Sequence, residues 1–394
     1  MAAEQEVFDP DRALALLEAV PASGLTESVG LLEARGRVLA EEVLSPLDSP
    51  PFAKAAMDGY AVPGGGEGDT YRLVETVAAG DVPGRALGPG ECAKIMTGAM
   101  LPAGADKVVR VEHTEQEAGV VRVLIPEPHR NVIERGENLK AGERVLTSRV
   151  LRPQDIGILA SLGRASVRVA VPPRVAVIAT GSELADPGGE LGPGQIYNSN
   201  GFQLCAQAAS CGCPYAYYGV APDEPQALGG MLGRAMEECE VVLLSGGVSM
   251  GDLDFVPDMV RRAGARVHFH KLSIKPGKPT LFAQKGDTYL FGLPGNPVST
   301  FVIFEVFVKI LLFRRMGITY RPPAVRARLG AAIRRREAGR LEFRPVRLEG
   351  GVAVPVVYHG SSHLNVLAGA DGLIRIEAQQ NELTEGSEVH VRLV

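Results

Sequence analysis

VVLLSGGVSMGDLDF, residues 241–255, passes from an apolar run into bare backbone without a polar approach. A run this short, made of valine and leucine, suits a strand buried on both faces. Ser245-Gly246-Gly247 then offers little side chain and many free N–H groups, which suits an oxyanion, while Asp252 and Asp254 suit a hydrated cation beside it. Together they point to a phosphate with its magnesium.

The pattern of strand, glycine turn and helix is repeated from Pro172 onward. RVAVIAT runs into Gly181-Ser182-Glu183, and TYLFGL runs into Pro294-Gly295-Asn296-Pro297 ahead of the apolar stretch FVIFEVFVKILLF at 301–313. Strands alternating with helices predict a mostly parallel sheet covered on both faces. Ligands of such sheets sit beyond the carboxyl ends of the strands, where all three turns fall. The 301–313 stretch is too short to span a bilayer, and Glu305 and Lys309 interrupt it at i,i+4 spacing, so it predicts a packed helix.

Outward from this region the texture changes. Residues 1–45 mix helix signals with turns, and an amphipathic helix is predicted after Asp9-Pro10. Residues 46–145 are dense in Gly and Pro with short Val-rich runs, which predicts a β-rich insertion, and 146–172 turn helical again. The outer pieces therefore predict one split helical linker domain interrupted by the β domain. Residues 173–318 carry the αβα pattern, and 319–394 return to short β runs that predict a small barrel or sandwich. The fold class is α/β, multidomain.

Composition sets the outer limits. A chain of 394 residues with 45% hydrophobic and 22% charged residues is globular and long enough for several cores. A net charge of −5 argues against a general nucleic-acid binder, so an anion site must be local. The five cysteines match no zinc pattern and are expected as reduced, mostly buried thiols. Acidic residues near the start stand where an export signal would be basic, so a cytoplasmic protein without membrane attachment is expected.

No glycine turn matches a standard nucleotide fingerprint, and each alone could simply close a tight turn. Their convergence on one sheet edge favours an anion site. Lys275-Pro276-Gly277-Lys278-Pro279 adds two ammonium groups on a stretch stiffened by prolines, suited to a compact tetrahedral oxyanion. Glu183, Asp223, Asp252 and Asp254 are candidate carboxylates for magnesium, although any one could be a helix cap. His268-Phe-His270 and His359-Gly-Ser-Ser-His363 raise zinc, but no third close ligand accompanies them.

Read as an ordered set, AAMDGYAV, IMTGAMLPAGAD, RGENLKAGE, ATGSEL, GQIYNSN, LSGGVSMGDLDF, IKPGKP, GLPGNPVS and GRLEF resemble the molybdopterin molybdenumtransferase family, the molybdenum insertases related to the C-terminal domain of gephyrin. That resemblance implies a homodimer acting in the last step of molybdenum cofactor synthesis. The substrates would be adenylylated molybdopterin and molybdate, the products molybdenum cofactor and AMP, with Mg2+ or a similar divalent cation assisting phosphoanhydride cleavage. The upstream molybdopterin adenylyltransferase would be a partner; nucleic acid and membrane would not.

By matching motif, the resemblance implies metal-linked cleavage by Asp223 and Asp254. It implies a molybdate pocket of Ser249, Lys275, Lys278, Arg340 and Ser362. Thr180, Gly181, Ser182 and Glu183, with Ser245, Gly246, Gly247, Pro294, Gly295 and Asn296, would cradle pterin and phosphates. Asp58 and Thr97 would complete the cleft from the N-terminal motifs. Asn138 stands where many relatives carry an acid, and Ser361 and Ser362 are interchangeable on sequence alone. A pterin carrier of the same fold, indifferent to loss of both lysines, and a hydrolase of other nucleotide pyrophosphates are the alternatives.

Overall fold

The computed structural model describes residues 7–64, 69–222, 224–247, 256–335, 337–357 and 360–394. At its centre lies a six-stranded sheet in the order Tyr215–Ala221, Val175–Thr180, Val241–Ser245, Thr288–Leu293, Leu281–Lys285, Arg266–Phe269. The first four strands of this order are parallel, and Leu281–Lys285 runs antiparallel to both its neighbours. Every residue of Val175–Thr180 and of Val241–Ser245 is buried. The side chains divide by parity, as a pleated strand requires. Val175, Val177, Val241 and Leu243 enter one core with Leu204 and Phe304, while Ala176, Ile178, Val242 and Leu244 enter another with Leu228 and Leu232. Two apolar faces under helices make the predicted αβα arrangement.

The apolar stretch forms a continuous buried helical rod, Pro297–Ile303, Phe304–Val308 and Lys309–Arg315. Its middle segment is a π-turn, which the apolar periodicity does not reveal. At this widened turn the Glu305 carbonyl accepts a hydrogen bond from the Arg392 guanidinium on the last strand, so a partner outside the helix takes up a backbone acceptor. The expected side-chain pair is present as well, with Lys309 Nζ 2.9 Å from Glu305 Oε2.

Asp9 caps the first helix, Pro10–Glu18, through its Oδ1, and Pro10 occupies the first turn where a missing N–H costs nothing. The buried face of this helix, Ala13 and Leu17, joins the core of the central sheet. Ala34, Leu39 and Val43 share a separate core with Leu146, Leu159 and Val169, and Thr26–Gly30 pairs antiparallel with Ser166–Ala170. Between those segments lies a second six-stranded sheet, with Gly59–Pro63 and Thr70–Val77 flanking Glu91–Ile95.

Near the C-terminus, Ala324–Leu329, Val352–Pro355, Leu341–Glu349, Gly372–Ile376 and Glu388–Leu393 pair in a closed ring, a small β-barrel. Closure removes the free edges that an open sheet of this size would expose. One extra strand attaches from the central region: Ile274–Lys275 pairs in parallel with the start of Leu341–Glu349, placing Ile274 opposite Leu341 and Lys275 opposite Glu342. Among the described residues no helix is long and apolar enough to cross a membrane.

Candidate active site

Thr180, Ser245 and Leu293 end three neighbouring parallel strands at the same sheet edge. Gly181, Gly246-Gly247 and Pro294-Gly295-Asn296 follow them into a cleft of about 500 Å³, within the range of small-molecule sites. The glycines are needed for space. Gly246 has φ +98°, and a Cβ there would stand 2.4 Å from the Thr180 carbonyl oxygen, which belongs to a sheet strand and cannot retreat. A Cβ on Gly295 would stand 3.9 Å from the Gly246 Cα, so these two turns abut.

Polar side chains organise the floor. Asn200, almost fully buried, donates from Nδ2 to Ser245 Oγ at 2.9 Å and to the Gly295 carbonyl at 2.7 Å. That fixes the amide and leaves Asn200 Oδ1 buried without a hydrogen-bond partner among the described residues, as is Thr180 Oγ1. Both residues line the cleft. Buried polar atoms are ordinarily satisfied, so two orphans on residues that line one cavity single out this end of the sheet. Asn198 caps the helix Ser199–Ser210 by accepting from Gly201 N–H at 3.0 Å, and its Nδ2 donates to Tyr217 Oη at 2.7 Å. Tyr217 in turn donates to Asp186 at 2.6 Å; burial first, then this carboxylate, push its phenol pKa well up. Neither Asn198 nor Asn200 was singled out from sequence, although NSN ahead of a small-residue helix is a readable cap signal.

The barrel closes one side. Asn296 Nδ2 donates to Ser361 Oγ at 2.9 Å, and Val298 N–H donates to the Ser361 carbonyl at 3.1 Å. Ser362 lies in the cleft lining. The two serines that sequence left interchangeable therefore sit differently, Ser361 tied to the Asn296 turn and Ser362 facing the cavity.

Lysine placement is more particular than expected. The loop is seated by Gly277, whose φ is +110° and whose added Cβ would meet Ile303 Cδ1 at 2.5 Å, and by Thr280, whose hydroxyl donates to the Gly277 carbonyl at 2.6 Å. Pro279 reaches the cleft lining, but Lys275, Lys278 and Arg340 are not in it. Lys278 is exposed, and Lys275 stands on the adjoining barrel rim with Nζ 3.6 Å from Glu342 Oε2. Arg340 gives its carbonyl to the Arg335 guanidinium on the same rim.

Of the remaining expected residues, Glu183 lines the cleft and Ser182 adjoins it in the chain. Asp58 Oδ1 accepts from Thr97 N–H and from Thr97 Oγ, both at 2.7 Å, and these bonds hold its carboxyl below the ordinary range. This pair belongs to the N-terminal part and does not line the cleft. Asp223, Ser249, Asp252, Asp254 and His359 lie outside the described residues. His268 Nε2 is 3.2 Å from Gln284 Oε1 and its ring stacks on Phe282, so it serves the core; among the described residues no group of His, Cys, Asp or Glu is arranged to hold a metal. All five cysteines are free and buried, with burial pushing Cys92, Cys205 and Cys211 up to about 11.

The family models agree with this layout. Residues 8–163 match the MoeA N-terminal region (domain I and II), 176–314 a probable molybdopterin binding domain, and 326–394 the MoeA C-terminal region (domain IV). A molybdopterin molybdenumtransferase 2 of Mycobacterium tuberculosis is 36% identical over 92% of this chain and 94% of its own length. The chain belongs to the MoeA family of molybdopterin molybdenumtransferases. A Haemophilus influenzae molybdopterin molybdenumtransferase is 33% identical over 95% of this chain and 96% of its own. The crystal structure of a molybdopterin biosynthesis MoeA protein from Pyrococcus horikoshii OT3 superposes with a TM-score of 0.86 at 32% identity, covering 99% of this chain and all of that one. Membership in the MoeA family puts the chain in molybdenum cofactor biosynthesis.

Proposed function

We propose that this MoeA-family chain inserts molybdate into adenylylated molybdopterin, cleaving the phosphoanhydride and leaving molybdenum cofactor and AMP. The observation that carries the reading is the abutment of the Gly246 and Gly295 turns at a sheet edge whose lining also takes in Pro279 of the lysine loop. Gly246 N–H already donates to the Leu293 carbonyl at 3.0 Å, so the other backbone N–H groups of those turns hold phosphate oxygens without needing side chains. Asn200 Oδ1 and Thr180 Oγ1, the two unpartnered atoms, orient the hydrogen-bonding edge of the pterin. Lys275, Lys278 and Arg340, with Ser249 and Ser362, take the molybdate, a dianion that needs fixed positive charge and donors.

Hydrated magnesium asks for one or two carboxylates besides phosphate and water. Among the described residues the cleft offers Glu183, which fits the lower of those needs. Asp223 and Asp254 are proposed to supply the rest. Bound there, the cation would neutralise charge developing on the phosphoanhydride oxygens. Asp58 is an exposed carboxylate pre-oriented by Thr97 and unused by its own cleft lining, which supports a role in completing the cleft of a second subunit in a homodimer. Substrate would arrive from the upstream adenylyltransferase. The proposed working units are residues 1–45 with 146–172, 46–145, 173–318 and 319–394.

The test is direct. Purified protein supplied with adenylylated molybdopterin, magnesium and molybdate is expected to release AMP, and Asp254→Ala to lose that release. Tight pterin binding with no AMP from the wild type would make the chain a carrier.

A further inference from the structure

Glu342 is nearly inaccessible to solvent, yet three cations crowd it. Its Oε1 accepts from Arg344 Nη2 at 2.7 Å and from Arg344 Nε at 3.2 Å. Its Oε2 has Arg335 Nε at 3.0 Å and Lys275 Nζ at 3.6 Å, and makes no aligned hydrogen bond with either. Arg335 is committed elsewhere: its Nη1 donates to the Glu377 carbonyl at 2.8 Å and the Gln380 carbonyl at 3.0 Å, and its Nη2 donates to the Arg340 carbonyl. Two guanidiniums therefore hold the carboxylate without help from the lysine.

Lys275 is the loosest of the three partners. Its side chain is 41% exposed, against 1% for Arg335 and 21% for Arg344. Parallel pairing of Ile274–Lys275 with Leu341–Glu342 sets the two backbones opposite each other, and the lysine side chain brings its Nζ to 3.6 Å from Glu342 Oε2. Three cations against one carboxylate leave a surplus of positive charge that matches a doubly charged guest.

We propose that Glu342 is the resident counter-ion of Lys275, a positioning residue that competes with an incoming molybdate-like dianion for the ammonium and so keeps that dianion weakly held and transferable. The inference rests on the reading of Lys275 as part of the oxyanion site. A carboxylate 3.6 Å from Lys275 lowers the attraction of that ammonium for an anion.

The experiment is calorimetric titration of the full chain with sodium molybdate. Glu342→Gln keeps an acceptor for Arg344 and deletes the charge facing Lys275. It should bind molybdate about fivefold more tightly, the effect of removing a like charge that shares the part-exposed ammonium with the dianion. Lys275→Ala should weaken binding, and the gain from Glu342→Gln should shrink in the Lys275→Ala background. Unchanged or weaker binding by folded Glu342→Gln, with Lys275→Ala still impaired, overturns the competition alone. Wild-type affinity in Lys275→Ala overturns the oxyanion reading of the lysine and this inference with it. Should Glu342→Gln not fold, Glu342→Asp keeps the charge in the arginine cage while drawing the carboxylate back from all three cations, Lys275 included; a smaller gain in the same direction is expected, and no gain overturns the proposal.

Discussion

Gly246 passes so close beneath Thr180 that a single added carbon would stand 2.4 Å from one Thr180 oxygen and 2.9 Å from another. The contact locks the glycine turn to the end of the neighbouring strand, and it sets the shape of the cleft. Gly246→Ala must relieve this overlap and adopt φ +98°, where alanine is strained. A loss of about 2 kcal/mol or more is expected. Gly230, inside the helix Pro225–Glu238 with nothing within 4 Å of an added Cβ, is the control: Gly230→Ala should stabilise by about 0.5 kcal/mol. Urea unfolding of both variants measures the contrast, and equal midpoints would contradict it.

Asn200 ties two of the turns together, since one amide nitrogen serves both Ser245 Oγ and the Gly295 carbonyl. Asn200→Ala removes the donor to the buried Ser245 hydroxyl and to the Gly295 carbonyl, a cost of about 1–3 kcal/mol. It also removes the unpartnered Oδ1 of a residue that lines the cleft. Molybdopterin should bind at least about tenfold more weakly, one hydrogen bond's worth of affinity. Asn198→Ala, which removes the neighbouring helix cap without emptying that position, should cost stability and affect binding less. Similar binding losses in the two variants would refute the distinction.

The strands around this cleft could be read from sequence because burial on both faces leaves an unbroken apolar run, as in Val175–Thr180 and Val241–Ser245. Their sudden stop at glycine was equally visible. The pairing of Lys275 with Glu342 was not, because two-residue strands carry no periodicity and the partners are far apart in the chain. Sequence suggested the lysines as anion-binding residues; it had no means to show that a buried carboxylate stands 3.6 Å from one of them. Asn200 was hidden for another reason: an asparagine in the first turn of a helix looks like an end signal, and only the tertiary fold turns it toward Gly295.

The N-terminal sheet should show an acid transition traceable to Glu127. Burial alone would raise its carboxyl, but hydrogen bonds from the Arg110 side chain and backbone and from the His129 N–H outweigh this and bring it down to about 2 from an ordinary 4.5. A depressed folded pKa contributes stability above the unfolded value and loses it as pH falls through the folded one. The window therefore runs downward from about pH 4.5 to about pH 2. The contribution at stake is about 3 kcal/mol at most. Denaturant unfolding across that range should show wild-type stability declining more steeply than that of Glu127→Gln. Parallel pH profiles would remove Glu127 from the explanation.

Glu305 bears on how the barrel is held to the central sheet. Its carboxylate accepts from Gln207 at 2.9 Å and from Lys309 at 2.9 Å, while its backbone carbonyl takes the Arg392 guanidinium at the π-turn. Removing the carboxylate in Glu305→Ala strands Lys309, most of whose side chain is shielded, and should cost about 3 kcal/mol. Replacing both partners, Glu305→Gln with Lys309→Met, removes the charge along with its need for a partner and should recover most of that loss. Because Arg392 binds the carbonyl, neither change deletes its acceptor. The cycle thus separates two roles: if the double variant is as unstable as Glu305→Ala, the π-turn and its grip on the last barrel strand depend on the buried charge itself, whereas recovery shows that shape alone suffices.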